Sequence, residues 1–199
     1  MMRRAFPLIA LAAALAGCNP EPATKTIRQQ EADVEAKAAT MTGWDRAFRS
    51  PATTIPSVNQ FGLRAEPYAG TAGAYASKGV DKAISNTFAK APNQVSFAAT
   101  GASAEAIDEL RFGLAITDPP AGAQATERFA KLVTDFMFVA KVPGGDKVGP
   151  AITAAKPATM TLDGAGFALD VKPIDGAKGD RLLTVTFTRP DTKSAAKSS

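Results

Sequence analysis

The chain has 199 residues, 45% of them hydrophobic, and 23 Lys and Arg against 19 Asp and Glu give a formal net charge of +4. These values fit one globular domain of ordinary size. The sequence contains no histidine and one cysteine, which excludes histidine-dependent catalytic triads, histidine-ligated zinc and an internal disulfide. Its basic residues form no cluster, so we expect no nucleic-acid partner.

The first 18 residues have the three parts of a secretory signal. Residues 1–4 are positively charged, residues 5–15 are apolar, and small residues precede Cys18. The ending LAGC at residues 15–18 resembles the lipobox of bacterial lipoproteins, and only this segment carries the resemblance. The resemblance implies that residues 1–17 are removed as a signal peptide and that Cys18 is lipidated, with palmitate among the acyl chains, as the anchor to a membrane.

A membrane-spanning helix is the alternative interpretation of the same segment. A span needs about 20 apolar residues, however, and Asn19 and Pro20 end this run early. Arg3 and Arg4 leave a twin-arginine export route open beside the general secretory route. By the resemblance to enterobacterial lipoproteins, Asn19 after the lipidated cysteine favours the outer membrane. We therefore expect a cell-envelope protein, lipid-anchored on the periplasmic face of the outer membrane.

Residues 18–54 are predicted to form the lipid anchor and a tether. Alternating charges through residues 20–41 favour a solvated, partly helical stalk. Trp44 and Phe48 follow, and their spacing of four places both rings on one side of a short helix. Either this helix folds back and buries the rings on the body, or the rings contact a partner. Trp44 and Phe48 are therefore two candidate partner contacts.

Residues 55–189 are predicted to form one globular α+β domain, and residues 190–199 a disordered tail. The expected fold is an antiparallel sheet of about five to six strands with one long amphipathic helix packed on one face. Residues 67–79 are predicted to be a loop and residues 80–89 a weak helix. Alternating apolar residues predict single strands and a three-stranded meander. The single strands are at 60–66, 94–100 and 108–116, and the meander turns at 163–165 and 175–177.

The long helix is predicted at residues 123–141, and a short second helix at 148–155. Six apolar residues form one stripe of the long helix at 100° per residue. They are Phe129, Leu132, Val133, Phe136, Met137 and Ala140. Phe138 projects to the opposite side, among polar residues. Either a neighbouring element covers its ring, or Phe138 is an exposed contact for another protein and the third candidate partner contact.

No catalytic motif occurs in its usual context. The SAAK sequence at 194–197 resembles the SxxK motif of penicillin-recognising enzymes, but it lies in the predicted tail without the companion motifs. Asp108 and Glu109 are adjacent on a predicted strand, so they should point to opposite faces. The aspartates near the meander lack the regular calcium-binding loop. We therefore expect no enzyme, no metal and no cofactor.

The function expected from the sequence is binding. The leading hypothesis is an accessory or adaptor subunit of a periplasmic assembly, whose partners are the membrane, through Cys18, and another envelope protein. One alternative is a carrier of a hydrophobic small molecule or lipid held between helix and sheet. A carboxylate-based hydrolase is the other alternative, and it would need two inward carboxylates about 5–9 Å apart in a cleft.

Overall fold

The computed structural model describes residues 25–71, 73–85, 90–174 and 179–190. The predictions for the signal peptide, Cys18, the second meander turn and most of the tail lie outside the described residues. The helices in the described part are α1 (Ile27–Ala39), α2 (Gly43–Arg49), α3 (Pro51–Asn59), α4 (Gly122–Val139) and α5 (Gly145–Thr153), with a 3₁₀ turn at Pro119–Ala121 before α4. No helix among these residues is long and apolar enough to cross a membrane.

The strands build one antiparallel sheet. They are β1 (Ala69–Thr71), β2 (Ala74–Lys78), β3 (Lys82–Ala83), β4 (Gln94–Gly101), β5 (Glu109–Ile116), β6 (Ala158–Leu162), β7 (Ala165–Pro173) and β8 (Arg181–Thr188). Their order is β1-β2-β4-β5-β8-β7-β6, and β3 pairs with β4 beside this path. The last strand, β8, therefore lies between β5 and β7 and joins the β1–β5 part of the sheet to the β6–β7 hairpin.

The α+β class is confirmed, but its details differ from the prediction. The described sheet has eight strands rather than five or six, because the predicted loop 67–79 contains β1 and β2 and the predicted helix 80–89 contains β3. The helical part is also larger: α4 has 18 residues and α1 has 13, so a single long helix does not dominate. The β4–β5 hairpin, the meander strands β6 to β8, and helices α4 and α5 are confirmed close to their predicted bounds.

The predicted strand at 60–66 is wrong, although its inward residues are right. Leu63 and Ala65 are buried, but Gly62 and Arg64 have positive φ values of 75° and 44°, which no regular strand tolerates. The side chain of Asn59 accepts from the Ala65 N–H and donates to its carbonyl. Ala65 therefore satisfies its backbone groups without a neighbouring strand. The predicted helix at 80–89 is replaced by β3 in its described part.

The folded body also begins earlier than the predicted boundary at residue 55. Pro51 occupies the first turn of α3, where its fixed φ suits a helix and its missing N–H is harmless, so the Pro- and Thr-rich segment is a helix and not a linker. The buried hydroxyl of Thr54 donates to the Ala47 carbonyl at 2.8 Å and joins α3 to α2. The tether prediction is thus corrected for residues 43–54, which belong to the body.

The core lies between the helices and one face of the sheet. Phe136 on α4 contacts Phe112 on β5 with 5.1 Å between ring centroids, and Phe112 contacts Phe97 on β4 at the same distance. Trp44 on α2 contacts Phe187 on β8 at 4.8 Å. Aromatic rings therefore fill the space between α4, α2 and the central strands.

Candidate functional site

Phe138 is an exposed aromatic side chain on a mostly polar side of α4. It is 84% exposed, whereas Phe136, two residues earlier on α4, is completely buried. The same outward side carries the ion pair between Lys131 and Asp135 at 2.7 Å. Val139 beside Phe138 is also exposed. The neighbouring elements therefore leave the ring open to solvent, as the partner-contact interpretation requires.

Trp44 and Phe48, in contrast to Phe138, are buried in the core. Trp44 is 3% exposed and Phe48 is fully buried, because α2 folds back onto the body and both rings join the core. The Phe48 carbonyl accepts from the Ile107 N–H at 2.7 Å, which fixes α2 against the segment before β5. Of the three candidate partner contacts, only Phe138 presents its ring at the surface. The two buried rings serve packing in this conformation.

A polar cleft of about 250 Å³ lies over Trp44. Its walls include Arg49, which pairs with Asp45 at 2.8 Å, and Arg189, which pairs with Asp108 at 2.7 Å. The indole Nε1 of Trp44 is buried and has no hydrogen-bond partner among the described residues. The cleft is thus lined by paired charges and by the tryptophan whose buried indole N–H has no acceptor among the described residues.

An apolar groove of about 410 Å³ runs along α3. Its lining is Pro51, Ala52, Ile55, Pro56, Asn59, Ala65, Pro67, Tyr68 and Ala104. A smaller depression of about 170 Å³, between α1 and α3, shares Pro51, Ala52 and Ala104 with it. The two depressions are therefore neighbours on the surface.

Tyr68 forms a fixed wall of this groove. Its hydroxyl donates to the Ala106 carbonyl at 2.9 Å, and its ring stacks on Tyr75 at 6.0 Å between centroids. Burial, followed by the nearby carboxylate of Asp108, raises the pKa of Tyr68 to about 12. The phenol therefore stays protonated at neutral pH and keeps its hydrogen bond. Tyr68 thus lines the groove and also packs against the edge of the core.

Asp108 and Glu109 both border a shallow depression of about 490 Å³. Asp108 binds Arg189 and also accepts from the Ala102 N–H at 2.9 Å. Glu109 pairs with Arg111. Each carboxylate is thus occupied by an arginine, which disfavours the acid and base roles of a hydrolase. The described residues contain no group of three His, Cys, Asp or Glu side chains that could hold a metal ion.

The sheet face opposite the helices carries small, mostly uncharged side chains. Strand β8 presents Thr184, Thr186 and Thr188 there, because its alternate residues Leu183, Val185 and Phe187 point into the core. Sequence analysis missed this surface. The T-x-T-x-T pattern of β8 was the available signal, but alternation alone does not reveal whether a second layer covers the outer side.

Comparison with models of protein families, with curated proteins and with solved structures gives no match for this chain.

Proposed function

We propose that this protein is a lipid-anchored cell-envelope protein that acts by binding, as an accessory or adaptor subunit of a periplasmic assembly. The observation that carries the proposal is the exposed ring of Phe138 on the outward side of α4. The lipobox resemblance at Cys18 supplies the anchor, and Asn19 after it favours the periplasmic face of the outer membrane as the location.

The surroundings of Phe138 support a protein partner. Burying a Phe side chain contributes roughly 1.5–3 kcal/mol, and aromatic anchors ringed by polar groups are typical centres of protein interfaces. Lys131 and Asp135 lie one to two turns before Phe138 and offer such a polar rim. Because Phe136 and Met137 are buried, the backbone that presents Phe138 is held rigidly against the core.

In-cell photo-cross-linking from position 138 tests this proposal. A photoreactive phenylalanine analogue replaces Phe138 in the full chain, and the same probe at Lys78, an exposed residue of β2 away from α4, is the matched control. We expect a discrete protein adduct from position 138 and at least a tenfold weaker one from position 78, measured by mass spectrometry. Adducts confined to this chain's own residues at position 138 would contradict the adaptor proposal.

The lipid anchor has its own test, since it depends on Cys18 alone. Cells fed an alkyne-bearing palmitate analogue should label the full chain, and Cys18→Ser should abolish the label and move the protein out of the membrane fraction. Two or more acyl chains bind a membrane stably, whereas none leaves a soluble body. The matched control adds Thr153→Cys, an exposed thiol outside the signal, to Cys18→Ser, and it should not restore the label. If the Cys18→Ser chain still carried the palmitate label, the proposed lipid anchor at Cys18 would be refuted. The proposed partner contact at Phe138 would not be affected.

A carrier of a hydrophobic small molecule or lipid is the second candidate. The space between α4 and the sheet, where the ligand was expected, is filled by the Phe112 and Phe136 rings. The α3 groove favours this candidate instead, because its volume of about 410 Å³ is in the range of small-molecule sites and its walls are mostly apolar. Lipid extraction from the purified chain distinguishes this candidate from the adaptor.

A further inference from the structure

The polar side chains in the walls of the α3 groove already have partners within this chain. The side chain of Asn59 both donates to and accepts from the backbone of Ala65. The Tyr68 hydroxyl donates to the Ala106 carbonyl at 2.9 Å. A polar ligand would have to compete for these groups, and breaking their bonds without replacing them is costly. The groove is therefore better suited to a ligand that needs no hydrogen bonds.

Prolines restrict the groove further, because they have no N–H to donate. Three of the nine residues that line it are prolines, namely Pro51, Pro56 and Pro67. A peptide bound here would bury its own N–H and C=O groups, which need partners. A hydrocarbon chain has no such groups, and its affinity increases with every methylene that leaves water. The groove therefore favours an alkyl or acyl chain over a peptide.

The neighbouring depression between α1 and α3 differs from the groove, because charged residues border it. Its volume is about 170 Å³, and it shares Pro51, Ala52 and Ala104 with the groove. Lys37 of α1 and Glu105 of the segment before β5 both border it. A ligand whose chain fills the groove can therefore extend past the shared residues to one cation and one anion.

Lys37 and Glu105 are available to such a ligand. Both residues are exposed, and neither forms an ion pair among the described residues. Arg49, the third charged residue at this depression, pairs with Asp45 at 2.8 Å. A head group that carries both charges therefore matches the depression. A purely anionic head group would meet repulsion from Glu105.

We propose that the α3 groove and this depression together bind a phospholipid that has one acyl chain and a zwitterionic head group. The acyl chain lies in the groove, Lys37 holds the phosphate and Glu105 holds the ammonium. A volume of about 410 Å³ is near the lower end of small-molecule sites, which matches one acyl chain rather than two. The inference deepens the carrier candidate and rests on it. It is independent of Phe138, which lines neither the groove nor the depression.

Native mass spectrometry of the purified full chain with lysophosphatidylethanolamine tests the ligand class. We expect one bound molecule per chain. Its affinity should rise roughly fourfold with each added methylene until the groove is filled, and longer chains should then give no further gain. The free fatty acid of the same chain length lacks the ammonium. It should bind about two- to fivefold more weakly.

Ala52→Phe tests the place of the acyl chain. Ala52 is the exposed second residue of α3 and lines both the groove and the depression. A ring there occupies the space of the acyl chain, so we expect the affinity to fall at least tenfold, and the same for Ala104→Phe. Ala123→Phe, at the exposed second residue of α4, is the matched control and should bind normally. Equal fluorescence of Trp44 would show that the variants are folded.

Two charge changes test the head group. Lys37→Gln should weaken the binding of the lysophospholipid and of the fatty acid alike, by about two- to fivefold, as for exposed charge pairs. Glu105→Gln should weaken the binding of the lysophospholipid alone, because the fatty acid has no ammonium. Lys147→Gln is the matched control, since this exposed lysine of α5 borders neither depression. It should change neither affinity.

Three results would overturn the inference. One is binding that Ala52→Phe and Ala104→Phe leave unchanged, because the acyl chain would then lie elsewhere. Another is a lysophospholipid affinity that Glu105→Gln does not lower, because Glu105 would then hold no ammonium. The third is binding that appears only after Cys18→Ser, because an acyl chain of the anchor would then be the occupant of the groove.

Failure of the carrier candidate itself would give a different result. The purified chain would then bind neither the lysophospholipid nor the fatty acid at any chain length, and the inference would fall with the candidate. A chain that binds both amphiphiles equally well, with no effect of Glu105→Gln, would keep the carrier candidate and overturn the head-group assignment alone. None of these results would affect the cross-linking expected from position 138.

Discussion

Phe136→Ala is expected to lower the free energy of unfolding by about 3–5 kcal/mol, whereas Phe138→Ala should change it by no more than about 0.5 kcal/mol. The two residues are neighbours on α4, so helix propensity and sequence context are nearly the same. Their surroundings differ. Phe136 is fully buried and contacts Phe112 at 5.1 Å, while Phe138 is solvent-exposed.

Urea unfolding followed by the fluorescence of Trp44 measures both changes. The chain has one tryptophan, and Trp44 is buried against Phe48 and Phe187 in the same core. The urea concentration at the midpoint of unfolding should fall markedly for Phe136→Ala and hardly at all for Phe138→Ala. The dependence of the unfolding free energy on urea concentration should be the same in both variants. A loss above about 1.5 kcal/mol for Phe138→Ala would mean that a part of this chain covers the ring in solution. That result would remove the basis of the adaptor proposal.

Sequence patterns correctly predicted the elements in which apolar residues recur with a clear strand or helix period. In β5, apolar side chains alternate from Leu110 to Ile116, and the structure buries each of these inward residues. In α4, the stripe through Phe129, Val133 and Phe136 identifies the buried side. Both patterns reflect the same requirement, namely one apolar face for each element that packs in a layered fold.

Strands β1 and β2 were not predicted, and the composition of the hairpin explains why. The β1–β2 hairpin is built mainly from Gly, Ala, Ser and Thr, and its small side chains carry no apolar alternation. The hairpin joins the sheet through backbone pairing with β4, as at Ser77 and Ala99. Residues 60–66 are the reverse case, because alternating burial occurs there without strand pairing. Apolar alternation reports which side chains are buried, and it does not report how the backbone hydrogen bonds are satisfied.

The same limit applies to the candidate partner contacts. Helical spacing correctly placed Trp44 with Phe48, and Phe138 opposite Phe129, since these are properties of one helix. Whether an aromatic ring is covered depends on the element packed next to it. α2 packs on the sheet and buries its rings, while the outward side of α4 stays open. The sheet face opposite the helices was overlooked for the same reason, because an uncovered side is a property of the assembled layers.

The connection between the sheet and α4 depends on the buried side chain of Asn93. Its Oδ1 accepts from the backbone N–H groups of Thr117 and Asp118, each at 2.8 Å. Its Nδ2 donates to the Asp118 carbonyl at 3.1 Å, and its own N–H donates to Ser85 Oγ at 3.0 Å. Asn93 is completely buried. It therefore replaces backbone pairing where β5 ends and the chain turns towards α4.

Asn93→Ala is expected to lower the free energy of unfolding by about 2–4 kcal/mol, because it leaves the N–H groups of Thr117 and Asp118 without their acceptor. Thr117→Val is the matched control in the same loop. It removes only the long hydroxyl contacts to Ala91 and Pro92, at 3.2 Å each, and should cost less than about 1 kcal/mol.

Urea unfolding gives these free energies, and hydrogen exchange locates their origin. The amides of Thr117 and Asp118 should lose protection in Asn93→Ala, whereas those of the β5–β8 centre should fall only by the global loss of stability. If Asn93→Ala were no more harmful than Thr117→Val, water or another backbone group would have to satisfy the two donors. The entry into α4 would then be determined by the packing of Phe129 and Phe136 on the sheet, and Asn93 would have no role in positioning the helix that presents Phe138.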